Sequence, residues 1–134
     1  RSGGAQYHDL AEVGSPREKL VKSAVVMANE LKAAAILVIT RTGNMARYTA
    51  WQRPRYSKIF ALCPHKEAAN TLTLSWGVTP IIVPFDLINP ENTIEASLQM
   101  MLAQGQLLKG TTVVIIGSIL VGDQVVDAVQ MRLV

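Results

Sequence analysis

Cysteine is almost absent. Cys63 stands alone among 134 residues, so the chain can form no internal disulfide, cysteine zinc site or redox pair. That usage suits a cytosolic or organellar interior better than an oxidising compartment. Aromatic residues make up 5% of the chain and do not interleave with basic ones, so the stacking platform of a nucleic-acid binder is missing and no nucleic-acid partner is expected. Charged residues make up 17% and hydrophobic ones 49%, a balance that excludes a disordered or coiled-coil chain. No apolar run approaches the roughly 20 residues of a membrane helix, so a soluble chain with no membrane partner is expected. Nucleotide loops are missing too: Gly43 has no glycine two residues before or three after it, and no Gly-Lys-Ser/Thr follows a glycine loop. His8 and His65 have no neighbours that would make a triad or a ligand set. No catalytic residue, metal or cofactor is therefore assigned to this chain.

Acidic residues are missing from positions 41 to 66, where Arg41, Arg47, Arg53, Arg55, Lys58 and Lys66 fall. The other seven of the 13 basic residues meet all ten acidic ones, so the net charge of +3 belongs to this stretch. A basic interface, a solvated helix face or an anion site would each look this way.

What is present centres on Ala35 to Arg47, which reads Ala-Ile-Leu-Val-Ile-Thr-Arg-Thr-Gly-Asn-Met-Ala-Arg. This is a buried strand, a polar turn with one glycine and a helix start. Thr40, Arg41, Thr42 and Gly43 bring two hydroxyls, a guanidinium and a flexible backbone to a helix's first turn, where unpaired N–H groups and the positive dipole end favour an anion such as phosphate. The same residues also suit a plain helix start, with Thr42 as cap and Gly43 easing the turn.

Residues 1–14 show no sustained period and read as a leader or interdomain linker, leaving 15–134 as one domain. Ser15-Pro16-Arg17-Glu18 predicts a helix start, with Leu20, Ala24, Met27, Ala28 and Leu31 inward at helical spacing. Ala35 to Thr40 predicts a strand buried on both faces. A second helix is expected from Asn44 to Gln52, stopped by Pro54. Ile59 to Leu62 is the next strand, His65 to Trp76 the third helix with Gly77 as its left-handed cap, and Val78 to Val83 a strand whose Pro80 suits a sheet edge or strand end. Trp51 and Trp76 are expected to pack, and Cys63 to be a small buried apolar residue.

Asn89-Pro90 predicts the start of a helix with Ile94, Leu98, Met101 and Leu102 inward, closed by Gly105. Thr111 to Ile116 is the fourth strand, Gly117 to Asp123 a glycine-bracketed connection, and Gln124 to Val134 a half-exposed last strand antiparallel to its neighbour. The fold class is α/β: a three-layer α/β/α sandwich on a mostly parallel five-stranded sheet with an antiparallel last strand. In such sheets ligands bind outside the carboxyl ends of the strands, where Thr40 to Gly43 fall.

The order and spacing of several short segments resemble the C-terminal domain of pyruvate kinase over nearly all of Ser15 to Val134. They are Lys22-Ser23-Ala24 with Ala28-Asn29-Glu30-Leu31, Thr40-Arg41-Thr42-Gly43 with Ala46-Arg47, Arg53-Pro54, Trp76-Gly77-Val78 with Pro80, Lys109-Gly110, and Val129-Gln130-Met131-Arg132-Leu133-Val134. Thr-Arg-Thr-Gly-Asn-Met-Ala is more similar to the plastid and cyanobacterial branch than to animal enzymes. The resemblance implies an allosteric and oligomerisation domain of an enzyme that converts phosphoenolpyruvate and ADP to pyruvate and ATP in glycolysis. Catalysis, with Mg and K, then belongs to a separate barrel domain, the parent's catalytic partner. It implies a phosphorylated effector held by Thr40, Arg41, Thr42, Gly43, Asn44 and Met45, a dimer through the last strand, a tetramer in the parent, and a cytoplasmic or plastid-stroma setting.

The chain departs from the family pattern in two places. Members that bind fructose 1,6-bisphosphate resemble one another in an arginine after the last helix, where this chain has Gln104, and in a longer loop before the last strand, where it has Gly117 to Gly122. Gln104 and Gly122 are thus the candidate second effector contacts. Met45 replaces a family hydroxyl in the first loop. These departures favour a monophosphorylated effector, or a site that has lost regulation, over the bisphosphate. The competing readings are a free-standing module that binds a phosphorylated metabolite and a structural dimerisation domain with a silent loop.

Overall fold

The computed structural model describes residues 16–40, 43–72 and 77–134. Helix α1 spans Pro16–Leu31, strand β1 Ala35–Ile39 and α2 Asn44–Trp51; β2 spans Lys58–Cys63, α3 Lys66–Thr71 and β3 Val78–Ile82. The second half is α4, Pro90–Ala103, followed by β4, Thr112–Val121, and β5, Gln124–Leu133. The strands form one sheet in the order β3-β2-β1-β4-β5. All neighbours are parallel except β4 and β5, which pair antiparallel from Thr112↔Leu133 to Val121↔Gln124.

Alternation along the strands sorts the core into two layers. Ile36, Val38, Ile59, Ala61, Cys63, Val114 and Ile116 point to one face, where Val21, Ala24, Val25 and Ala28 of α1, Ala46 and Tyr48 of α2, and Ala68 and Ala69 of α3 cover them. Leu37, Phe60, Leu62, Val113 and Ile115 point to the other, where Ile94, Leu98 and Met101 of α4 cover them together with Val83 and Leu107. Each of the three α4 side chains is buried and stabilises the fold by about 1.5–3 kcal/mol. Among the described residues the three-layer sandwich is thus lopsided, three helices against one.

The helix ends follow their local chemistry. The Asn89 side chain accepts from Glu91 N–H at 3.1 Å, with Pro90 in the first turn. Ser15 as cap, Trp76, the end of the expected third helix and the leader at 1–14 lie outside the described residues. Helix α1 turns a slightly different face inward than expected, burying Val21 and Val25 and leaving Leu31 41% exposed. Small and β-branched residues make the closest approach to the sheet, and the long Leu20 and Met27 flank them. Trp51 does not pack inside; it is 62% exposed and meets the Tyr48 ring edge-on at 5.6 Å between centroids. Pro80 sits on β3, an edge strand.

The segment from Gly117 to Asp123 is not a connection. Strand β4 runs on through Val121, paired to β5 along its whole length, and only Gly122 and Asp123 form the turn. Gly122 supplies the positive φ, +63°, that two-residue hairpin turns require at their first position. Gly117 serves close packing instead: an added Cβ would stand 2.8 Å from Ile39 Cδ1.

Candidate functional site

Strand order places the site. Chain connections run from β1 outward to β2 and β3, then cross back to β4 on the other side of β1, so the crossover lies between β1 and β4. At such a point the connections diverge and leave a crevice beyond the carboxyl ends of the strands. A cavity of about 390 Å³ lies there, walled by Ile39 at the end of β1 and Thr40 after it, by Ile116, Gly117 and Ser118 of β4, and by Asn44 and Met45 of α2. Pro90 and Thr93 of α4, Phe85, Asp86 and Leu87 of the preceding loop, Arg17 and Leu20 of α1 and Asp127 of β5 complete the wall.

Thr40 is 5% exposed and its N–H continues the ladder to Leu62 O at 3.0 Å. Its Oγ1 accepts from Gly43 N–H at 2.8 Å, which leaves the hydroxyl proton to donate elsewhere. Gly43 is the N-cap of α2 at φ +95°, and an added Cβ would lie 3.1 Å from the Leu72 side chain, so both backbone and space require glycine. Gly43 itself offers this helix no side-chain cap. Arg41 and Thr42 lie outside the described residues. Of the expected phosphate loop, the structure therefore brings Thr40, Asn44 and Met45 to the cavity, with Gly43 beside them.

The opposite wall is set by Asp86. Its carboxylate accepts from Asn89 N–H at 2.9 Å, from Asn92 Nδ2 at 2.7 Å and from Ile88 N–H at 2.9 Å, and these donors hold it below the usual carboxylate range. Asp86 N–H donates to Thr93 Oγ1 at 2.8 Å, which fixes Thr93, 3% exposed, at the cavity floor. One cation, Arg17, and two carboxylates, Asp86 and Asp127, thus stand in the described wall. The basic stretch from 41 to 66 contributes none of its described charges to it; Arg47 donates instead to Thr71 O at 2.9 Å.

Gln104 is not brought to the cavity. It is the C-cap of α4, and α4 runs from the carboxyl ends of the strands back toward their amino ends, 14 residues or about 21 Å. The residue that α4 does bring is Thr93, one turn from its start. Gly122 lies on the cavity's side of the sheet but at the hairpin tip, four residues beyond Ser118 on β4.

Thr93, Asp86, Arg17 and Asp127 escaped the sequence reading because nothing local marks them. They meet only through the crossover. Arg17 stood in a helix-start pattern, and the paired residues Asn89-Pro90 were the nearest available signal for Thr93.

Among the described residues no group of three or more His, Cys, Asp and Glu could hold a metal ion, and no helix is long and apolar enough to cross a membrane. His65 is exposed, with Nδ1 3.3 Å from Glu67 Oε1. Cys63 is buried, and burial pushes its thiol up, away from a nucleophile's range.

The family model described as pyruvate kinase, alpha/beta domain, matches residues 18–130. Pyruvate kinase 2 of Synechocystis sp. is 36% identical over 103 residues, 76% of this chain and 17% of that protein. The chloroplastic pyruvate kinase isozyme A of Ricinus communis is 29% identical over 124 residues, 92% of this chain and 20% of that one. The chain therefore spans about a fifth of these relatives' length. Among solved structures, Cryptosporidium parvum pyruvate kinase in complex with ADP superposes with a TM-score of 0.78 at 22% identity, over 96% of this chain and 26% of that one. This last likeness concerns the fold.

Proposed function

The chain belongs to the pyruvate kinase alpha/beta domain family, and from that premise we propose that it is the effector-binding and assembly domain of an enzyme that transfers phosphate from phosphoenolpyruvate to ADP. The observation that carries the reading is the cavity at the β1–β4 crossover, with Thr40, Asn44 and Met45 in its wall. A phosphate placed there receives the Thr40 hydroxyl proton and lies at the positive end of the α2 dipole, and the sequence supplies a guanidinium at Arg41 and a hydroxyl at Thr42. Turnover itself belongs to a catalytic barrel domain with Mg and K. Assembly uses the β5 edge, which pairs with its two-fold mate, within a tetramer of the parent enzyme.

The effector is a sugar monophosphate rather than fructose 1,6-bisphosphate. Strand β4 runs on to Val121 where a lid loop would be needed, Gln104 sits at the far end of α4, and Asp86 and Asp127 oppose a second phosphate in the cavity wall. Calorimetric titration of glucose 6-phosphate and fructose 1,6-bisphosphate into the wild type and Thr42→Ala tests this. The monophosphate is expected to bind at least as tightly as the bisphosphate. Loss of the Thr42 donor should weaken it about tenfold, the scale of one charge-assisted hydrogen bond of about 1.5 kcal/mol. A clear preference for the bisphosphate overturns the effector class, and unchanged binding in Thr42→Ala overturns the loop.

A further inference from the structure

The end of the sheet where β1 and β2 begin, opposite the cavity, carries cations that pair with no carboxylate. Helices α1 and α2 both finish there, and the chain leaves each through a basic residue with a left-handed backbone, Lys32 at φ +50° and Arg53 at φ +52°. Among the described residues these are the two positions outside glycine with positive φ. Glycine is the usual residue just past a helix end, because a Cβ is crowded there. The negative dipole end of each helix does attract a cation, but a basic residue in the last turn would serve it without that cost, and neither helix has one. Strain kept at two cations of one surface points to a use for their side chains.

The loop from α2 to β2 is pinned beside the end of α1. Arg55 N–H donates to Asn29 Oδ1 at 2.9 Å, Ser57 Oγ donates to Ala33 O at 2.7 Å, and Lys32 Nζ stands 5.7 Å from the centre of the Tyr56 ring. Lys32, Arg53 and Arg55 are exposed, and none of them has a carboxylate partner among the described residues. No Asp or Glu occurs in the sequence between Glu30 and Glu67. Two exposed rings, Trp51 and Tyr56, bracket the arginines along the chain.

We infer that this end of the domain is a docking surface for an acidic protein segment that carries apolar side chains. The two guanidinium forks take carboxylates one at a time, Lys32 adds a third charge beside them, and Trp51 offers an apolar ring to the segment's own side chains. A nucleic acid fits less well. Single strands need successive open rings to stack on, and Lys32 stands over the ring of Tyr56, which leaves Trp51 alone. The surface lies at the other end of the strands from the cavity, so the inference does not depend on what the cavity binds.

The test is fluorescence anisotropy of a labelled peptide of Glu-Glu-Phe repeats titrated with the 134-residue chain. Peptides of Gln-Gln-Phe and Glu-Glu-Gly repeats, a labelled oligouridylate and, by cosedimentation, phosphatidylserine vesicles are the comparison probes. The surface variant is Lys32→Gly with Arg53→Gly and Arg55→Gln, in which glycine suits the left-handed backbone and so preserves the fold. Lys19→Gln with Lys22→Gln and Lys66→Gln makes the same charge change at exposed positions elsewhere. The wild type is expected to bind the Glu-Glu-Phe peptide, the surface variant about tenfold more weakly, as three exposed ion pairs together would give, and the control variant within about twofold of wild type. Trp51→Ala should weaken the Glu-Glu-Phe peptide and leave the Glu-Glu-Gly peptide unchanged; no effect on the former overturns the apolar contact. Four results overturn the docking surface: no binding of the Glu-Glu-Phe peptide, equal losses in the two charge variants, equally tight binding of the Gln-Gln-Phe peptide, or tighter binding of oligouridylate or vesicles with the same dependence on Lys32, Arg53 and Arg55.

Discussion

The two edges of the sheet are built in opposite ways. Strand β3 offers 5 residues, and Pro80 removes one backbone donor from the middle of them. Strand β5 offers 10 residues without a proline, with Met131 56% and Leu133 74% exposed. The first edge carries one of the devices that blunt an exposed strand, and the second carries no proline. A long edge with exposed apolar side chains supports the proposal that assembly uses β5 rather than β3.

The largest effect should come from charging the open edge. Met131→Lys with Leu133→Lys is expected to convert the proposed dimer to a monomer at micromolar concentration in sedimentation velocity, while Thr79→Lys on β3 leaves the sedimentation coefficient unchanged. Equal behaviour of the two variants would erase the contrast between the edges.

A smaller effect sharpens what supports the β5 side. Gly117 lies where β4 passes Ile39 and pairs with Ala128. Gly117→Ala should destabilise the chain by about 1–3 kcal/mol in urea, the usual range for overpacking, because the new methyl group must displace Ile39. Full stability would mean that the approach relaxes freely.

The smallest concerns pH. Arg132 of β5 forks onto Glu91 of α4 with both terminal nitrogens, reaches Glu95 at 3.6 Å and donates from Nε to Gln130 at 2.8 Å. Hydrogen bonding from Arg132 holds the Glu91 carboxyl below its ordinary value of 4.5. A carboxyl lowered in the folded state stabilises the fold above its unfolded value, and that stability is lost as pH falls through the lowered one. Arg132→Met should therefore flatten the loss of stability below about pH 4.5. Glu91 is 45% exposed, so the effect should be about 1 kcal/mol or less. An unchanged acid limb in the urea midpoints would detach Glu91 from β5.

The edges also mark what could be read from the sequence. Pro80 announced its edge because a missing N–H is a local fact, and Asn89-Pro90 announced a helix start for the same reason. The uninterrupted apolar runs announced buried parallel strands. Gly117 misled because glycine marks both turns and close approaches, and only the neighbouring Ile39 distinguishes them. For the candidate site, Thr40, Asn44 and Met45 were legible as one loop. Thr93 and Arg17 were not, since their nearness to that loop is made by strand order rather than spacing. Gln104 illustrates the converse: a plausible position along the chain lies at the wrong end of a helix once the helix has a direction.

The central place of β1 has a further consequence in time. Ala35 pairs with Lys58 on one side and with Val113, about eighty residues later, on the other. During synthesis the N-terminal helices, β2 and β3 can gather on one flank, while the other flank of β1 stays unpaired until β4 emerges. That delay exposes Ile36, Leu37 and Val38 as an apolar open strand in every nascent intermediate lacking the C-terminal hairpin. Truncation ahead of Thr112 should therefore yield a chaperone-dependent, aggregating product rather than a smaller folded one, and ribosome pausing before β4 would lengthen the same hazard.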